Sequence, residues 1–475
     1  MLNKDLIVGV CGAGAMGAGI AQVAAQAGHR VIVLDQFDDA LGRGRDTLAK
    51  GLAALVKRGK IAESDANEIS ARCEWSLDVD ALSDAGLIIE AIVENSEVKR
   101  ALFQQIETVV SGDAVIATNT SSLSVTALAS GHKNPGRYMG LHFFNPAPVM
   151  KLVEVVSGAE TDAALAASAL ELMKSWGKTA VMARDVPGFI VNRVARPFYS
   201  EGWRALEEGA ADAATIDFLY RDLAGFRMGP FELGDLIGHD INTAAAKSVY
   251  DAYFGRTRFT PSLMQAQLVA AGRLGRKSGR GVYSYEEKET PTPTFAASSG
   301  GQGDVLLLED LLVKGWIDHH GVRIMKCDGR PAGRVAAEMK TPVAVLDFIR
   351  DPEAATAIAF AASNDKAKEA ALSFAAACGK NAVALKDRAG LVVFRTLLQL
   401  ANCAGDAVRD EVASPDAVDV AMMNGVNYPF GPIAWARGEG LGHVVDALDA
   451  VAEECGEAMY RPGEWLRAAA RRGLL

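Results

Sequence analysis

Residues 6–35 read LIVGVCGAGAMGAGIAQVAAQAGHRVIVLD. An apolar run, Leu6 to Val10, ends in Gly12-Ala13-Gly14-Ala15-Met16-Gly17. A small-residue helical pattern follows from Ala18 to Ala27, Gly28 closes it, and a second apolar run, Val31 to Leu34, ends at Asp35. This is strand, glycine turn, helix, strand, acid. Gly12 permits the tight turn, Gly14 lets backbone approach a pyrophosphate, and Gly17 lets the helix lie close on its strand. The helix start offers free N–H groups and the positive end of its dipole to phosphates. Ala15 and Met16 complete the turn. Asp35 stands 18 residues after Gly17, where a carboxylate holds a ribose 2′-OH and repels a 2′-phosphate. The stretch predicts a Rossmann-type domain that binds NAD.

The same stretch carries no charge from residue 6 to 28, which could suggest a membrane span. Its six glycines, Gln22 and Gln26, and the absence of a basic region before it, fit the nucleotide turn better. The 475-residue chain is 49% hydrophobic and 23% charged, the composition of a globular protein of several domains. A net charge of −10 argues against nucleic acid or an anionic membrane as the main partner. Six cysteines are scattered without a CxxC pair or zinc spacing, so no metal is expected and a reducing cytoplasm is.

Asp38 to Ile61 reads as a helix with Arg43, Arg45, Lys50, Lys57, Arg58 and Lys60, either a solvated face or an anionic-ligand site. Leu87-Ile88-Ile89-Glu90-Ala91 and Ala114 to Thr118 read as buried strands. Ligands of open α/β sheets bind beyond the carboxyl ends of the strands, which puts Glu94, Lys99 and Ser121 on the cofactor edge. Then come Gly140-Leu141-His142-Phe143-Phe144-Asn145-Pro146 and the strand-like MKLVEVV with Glu154. Oxidation of an alcohol needs a base for the hydroxyl proton, and histidine titrates in the useful range. A carboxylate on its other ring nitrogen fixes the tautomer. By themselves, one His and one Glu 12 residues apart also suit a core histidine and a surface glutamate.

The motifs EAIVEN, TNTSSL, HFFNP, MKLVEVV and PGFIVNR together resemble the L-3-hydroxyacyl-CoA dehydrogenases, over residues 5 to about 285. The resemblance implies that His142 is the base and Glu154 its partner. It implies that Ser121 and Asn192 bind the substrate's reacting oxygens, and that Gly12, Gly14, Ala15, Met16, Gly17, Asp35, Glu94, Lys99, Ser121 and Asn145 line NAD. Lys57 is implied to meet the CoA phosphates. The chain opens on the glycine strand, so no hydratase domain is expected ahead of it.

After Asp185 the pattern turns helical, with a long helix expected over Phe189–Glu208. Residues 286–305, EEKETPTPTFAASSGGQGDV, read as a linker. Beyond it a shift of 202 residues lays SNDKAKEAALSFAAACGKNAV (363–383) on TDAALAASALELMKSWGKTAV (161–181). The expected architecture is an α/β Rossmann-type domain followed by two repeated all-α domains. Its parts are 1–185, 186–285, a linker and degenerate α/β segment over 286–362 with strand-like VLLLEDLLV and PVAVLDFI, and 363–475. The shift sets Phe394 on Asn192, Ala344 on His142 and Thr356 on Glu154, so the second copy is read as a packing partner, an internal pseudo-dimer of helical domains. Composition leaves open whether whole chains also form a homodimer. The length and the two helical copies resemble family members acting on 3-hydroxyadipyl-CoA in phenylacetate catabolism. The alternatives are 3-hydroxybutyryl-CoA or a broad short-chain range, a free-acid dehydrogenase, and a non-catalytic NAD-binding protein.

Overall fold

The structure, a computed structural model, describes residues 2, 5–285, 291–298 and 303–473. The glycine turn ends the first of eight strands: β1 (Ile7–Cys11), β2 (Val31–Leu34), β3 (Cys73–Ser76), β4 (Ala85–Glu90), β5 (Val115–Thr118), β6 (Tyr138–Phe143), β7 (Leu152–Ser157) and β8 (Thr179–Arg184). They lie in the order β3-β2-β1-β4-β5-β6-β7-β8. All pairs are parallel except β6–β7. Strand order reverses beside β1, the switch point at which such sheets bind ligands. Helices cover both faces, which is why the central strands are apolar runs rather than alternating ones.

A second sheet contains β9 (Trp316–His319), β10 (Val322–Lys326), β11 (Val343–Leu346), β12 (Ala357–Ala362) and β13 (Asn381–Ala384) in the order β13-β12-β11-β10-β9. Its run β10-β11-β12-β13 pairs parallel, antiparallel, parallel. That is the pattern of β5-β6-β7-β8. The chain divides into two compact units, Met1–Asn192 with Glu411–Val426, and Arg193–Asp410 with Asn427–Leu475.

The helix Asp365–Ala377 packs on β12 and β13, so residues 363–384 belong to the second sheet and not to a helical domain that starts at 363. The strand-like VLLLEDLLV is the helix Leu306–Lys314, with Leu308 and Leu311 buried three residues apart and Gly315 at φ 83° ending it. Short apolar runs do not by themselves separate buried strand from buried helix. The stretch expected as a linker is partly ordered: the Ala382 carbonyl on β13 accepts the Ala296 and Ala297 amides, and the Ala382 amide donates to the Ala297 carbonyl. Residues 286–290 and 299–302 of it lie outside the described residues. The long helix expected over Phe189–Glu208 is Val191–Val194 followed by Arg196–Glu207. Pro197 has no N–H to continue the ladder, and Phe189, at φ 45°, is not helical.

The repeat is deeper than its sequence. Gly188 and Phe189 have φ of 77° and 45°, and Gly390 and Leu391, 202 residues on, have 73° and 52°. A left-handed non-glycine costs on the order of 1 kcal/mol, so its recurrence marks a required turn. Upstream of the helix Asp365–Ala377 the 202-residue shift slips by three, because the loop from β12 into that helix is three residues shorter than the one that follows β7. Register gives the true correspondence. Glu154 pairs with Val181 and His142, whereas Ala359 pairs with Val383 and accepts the Asp347 amide. The counterparts of His142 and Glu154 are therefore Asp347 and Ala359, not Ala344 and Thr356.

The copies exchange contacts reciprocally. In the first unit the Arg184 amide donates to the Val412 carbonyl, and the helix Pro415–Gly425 packs on β7 and β8. In the second unit the corresponding Lys386 amide donates to Ala210, and the corresponding helix Ala213–Ala224 packs on β12. Arg193 binds the Asp410 carboxylate and Arg395 binds Glu208 at 3.0 Å, again the same two positions exchanged. Each residue meeting its partner's counterpart is the property of a twofold, isologous interface.

Two outcomes are expected. Asp347 accepts the amides of Phe348, Val392, Val393 and Phe394 at 2.8–3.0 Å. Asp347→Ala should lower unfolding free energy by about 2–4 kcal/mol in urea titration, since buried amides lose their acceptor. An unchanged midpoint would mean that those amides find other partners. Deleting residues 300–475 uncovers β7 and β8, and the shortened chain should aggregate or dimerise on a sizing column. A soluble monomer would contradict the reciprocal packing.

Candidate active site

The glycine turn leads directly into the helix Ala15–Gln26. Gly12 sits at φ 107°, and a Cβ on Gly17 would lie 1.8 Å from the Gly12 carbonyl oxygen, so neither position admits a side chain. Gly14 faces open space. Asp35, at the end of β2, is aimed back at this turn: Oδ2 accepts the Ala13 amide at 2.8 Å and Oδ1 the Phe37 amide at 3.1 Å. An open helix start with a fixed carboxylate beside it is the cradle that NAD requires.

Beyond β4, Glu94 organises the next loop. Its Oε1 accepts from Thr120 Oγ1, the Ser121 and Ser122 amides and Ser122 Oγ, at 2.7–3.1 Å. Burial alone would raise its pKa, but these hydrogen bonds and the neighbouring Lys99 together bring it below the ordinary glutamate value. The charged form therefore fastens the Ser121 loop, and this anchoring is lost only as pH falls through that lowered pKa. Ser121 itself is exposed. Lys99 differs from expectation. It is 1% exposed, with Nζ 2.5 Å from Glu90 Oε1 and 3.3 Å from Glu94 Oε2, so it braces the cofactor edge from inside rather than lining it.

His142 on β6 and Glu154 on β7 are directly paired across the antiparallel register. His142 Nδ1 lies 2.6 Å from Glu154 Oε2, with the two residues 5% and 0% exposed. The other carboxylate oxygen, Oε1, accepts the Ile190 and Val191 amides at 3.0 Å each. A carboxylate only accepts, so Nδ1 carries the hydrogen and Nε2 presents its lone pair. Phe144 and Phe189 flank the imidazole, with ring centroids 4.5 and 5.6 Å away. Asn192 follows in the helix Val191–Val194, half-buried and one residue beyond an amide held by Glu154. Asn145 is exposed just past β6, and Lys57 is exposed in the last turn of the helix Asp38–Lys57.

Three supporting residues were not expected. Glu90 is fully buried and takes Lys99 Nζ, Thr118 Oγ1 and the Ile92 amide. Asn119 Oδ1 accepts the Phe143 amide at 2.8 Å, tying the Ser121 loop to the strand of His142. Asp185 holds Ser124 Oγ and the Val125 and Thr126 amides. An acid closing an apolar strand, as Glu90 does in LIIEA, was the available signal. The Gly275–Tyr283 stretch wraps Asp235, which accepts the Val282 and Tyr283 amides, so its place is structural.

Comparison with known proteins agrees with this geometry. The model of the 3-hydroxyacyl-CoA dehydrogenase NAD binding domain matches residues 7–186, and that of the C-terminal domain matches 188–285 and again 390–475. Between them, a 3-hydroxybutyryl-CoA dehydrogenase reduced Rossmann-fold domain matches 324–388, which accounts for the second sheet. The chain belongs to the 3-hydroxyacyl-CoA dehydrogenase family and is an NAD-dependent oxidoreductase. Over nearly its whole length it is similar to 3-hydroxyadipyl-CoA dehydrogenase of Escherichia coli K12, 43% identical over 98% of each chain. It is also similar to the crystal structure of a 3-hydroxybutyryl-CoA dehydrogenase from Escherichia coli K12, with TM-score 0.92, 41% identity and 99% of each chain covered. The 3-hydroxybutyryl-CoA dehydrogenase of Clostridioides difficile is 39% identical over 58% of this chain and 99% of its own, a single-copy relative.

Asp35 is expected to set cofactor preference. Asp35→Ala should narrow the ratio of kcat/KM with NAD to that with NADP by about tenfold or more, by removing repulsion of the 2′-phosphate. An unchanged ratio would move the discrimination elsewhere.

Proposed function

We propose that the protein oxidises (S)-3-hydroxyadipyl-CoA to its 3-oxo thioester, with His142 as general base. The 2.6 Å contact of His142 Nδ1 with Glu154 carries the reading of the site. It leaves Nε2 to take the C3 hydroxyl proton, while Glu154 stabilises the imidazolium that forms. NAD, when bound, accepts the hydride from C3. Ser121 and Asn192 hold the reacting oxygens in place. The glycine turn and Asp35 hold the cofactor, Asn145 borders it, and Lys57 meets the CoA phosphates. The six free cysteines support a cytoplasmic setting, and among the described residues no helix is long and apolar enough to cross a membrane.

The substrate is proposed from the full-length likeness to a 3-hydroxyadipyl-CoA dehydrogenase. The equally long structural likeness bears the name of a 3-hydroxybutyryl-CoA dehydrogenase, which supports the C4 thioester as the second reading. A panel of 3-hydroxyacyl-CoA thioesters from C4 to C16 that includes the C6 dicarboxylic one, with the free acids as controls, ranks these. The highest kcat/KM is expected for 3-hydroxyadipyl-CoA, and preference for the C4 thioester would replace that reading. His142→Ala should lower kcat by ~10²–10⁴-fold with NAD affinity little changed, the usual worth of a general base. Glu154→Gln should slow turnover as well. Near-normal kcat in His142→Ala would assign the proton to another acceptor.

A further inference from the structure

The second unit holds a small cavity with Arg196, Ser200, Trp203, Arg258, Phe259 and Pro261 among its walls. Its volume is about 20 Å³. One water needs roughly 10–15 Å³, so the cavity takes a single monoatomic guest and no carboxylate or phosphate. Six arginines are buried among the described residues, and five have a carboxylate: Arg137 has Glu107, Arg193 has Asp410, Arg258 has Asp406, and Arg388 and Arg395 have Glu208. Arg196 is the exception. It is 8% exposed, its Nε is buried without an acceptor, and it forms no ion pair among the described residues. The Tyr199 ring lies 5.3 Å from its guanidinium carbon, and the phenols of Tyr199 and Tyr428 are the titratable groups that face it. Burial raises the pKa of both phenols, so neither supplies a negative charge at neutral pH. An arginine cannot shed its proton, so this charge is buried without compensation, an arrangement proteins rarely tolerate.

A second donor stands beside it. Ser200, one helical turn further on in Arg196–Glu207, has a buried Oγ with no partner. Other polar walls are engaged: Gln265 binds His239 and Asn242, and Ser262 binds Glu207. Arg258 has only a share of an acid, because Asp406 takes it and Arg256 at 2.9 Å each. Two arginine charges therefore line the cavity against part of one carboxylate. A water there would meet the hydrogen-bonding need and leave the charge in place. A halide ion meets both needs, since it accepts from several donors and carries the missing negative charge. We propose that this cavity binds one halide ion, with chloride the abundant member of that class, paired with Arg196 and hydrogen-bonded by Ser200 Oγ. The ion stabilises the second unit by neutralising a charge that its own residues leave alone, so its effect is read in stability and not in turnover.

The full chain is melted in sodium gluconate, whose anion is too large for the cavity, and then with gluconate replaced stepwise by chloride or bromide at constant ionic strength. The melting temperature of the parent should rise with halide and saturate, as binding to one site requires. A general salt effect would not saturate and would act on every variant alike. Arg196→Met should lose the saturable response to both halides. Ser200→Ala should keep it with the midpoint weakened about tenfold or more, the worth of a hydrogen bond to a charged partner. The line width of the chloride NMR resonance makes the same comparison on the folded protein without heating: excess broadening is expected with the parent and not with Arg196→Met. No saturable response in the parent, or one that Arg196→Met retains in full, overturns the proposal and leaves the cavity to water. If Arg196→Met does not fold, Ser200→Ala decides: a weakened midpoint supports the site and an unchanged one overturns it.

Discussion

The Glu154 carboxylate is the constraint on which the first unit turns. A fully buried carboxylate is tolerated only when donors surround it, and Glu154 has three: the His142 ring and the amides of Ile190 and Val191. The helix start must lie where those amides reach the acid. The left-handed pair Gly188-Phe189 is the turn that brings it there. The same bond that fixes the tautomer of His142 thus fixes the position of Asn192. The second copy keeps the requirement and changes the solution: Asp347, at the counterpart of His142, accepts the helix amides itself, and Ala359 fills the place of the glutamate.

Reciprocity organises the rest. Helix Pro415–Gly425 covers the first sheet and helix Ala213–Ala224 the second, so each sheet is closed by the other copy's helix. The arginines at the matching positions 193 and 395 are among the largest fully buried side chains, and each is neutralised by an acid from the other copy. Removing one member of such a pair leaves a buried charge alone, which is more destructive than losing a surface contact. The duplication is therefore an exchange and not a tandem array.

Much of this was legible in the sequence because local chemistry dictated it. The glycine turn, Asp35 and the helix–strand period of the first domain each have a local cause. His142 and Glu154 are separated by one antiparallel turn, so a motif sufficed to pair them. What was not legible depended on distance. Lys99 turned inward because Glu90, nine residues before it, offered a buried partner. The second sheet was legible only in part: PVAVLDFI holds β11, but its other strands are short and the helix Leu306–Lys314 has the composition of a strand. The ungapped repeat placed Ala344 and Thr356 wrongly because a three-residue change in a loop is invisible until the register of β12 is known.

Fusing the two copies changes what later substitutions can do. In a pair of identical chains every replacement is made twice, so a residue that improves packing on one side must also be tolerated in the active site on the other. Here each replacement is made once. Phe394 can fill the position that Asn192 occupies in the first copy, and Asp347 can replace a histidine, without altering the site that holds His142. The join also removes the concentration dependence of a dimer, since each copy's closing helix is supplied by its own chain. The second copy is thereby released from keeping a histidine and a glutamate at positions 347 and 359.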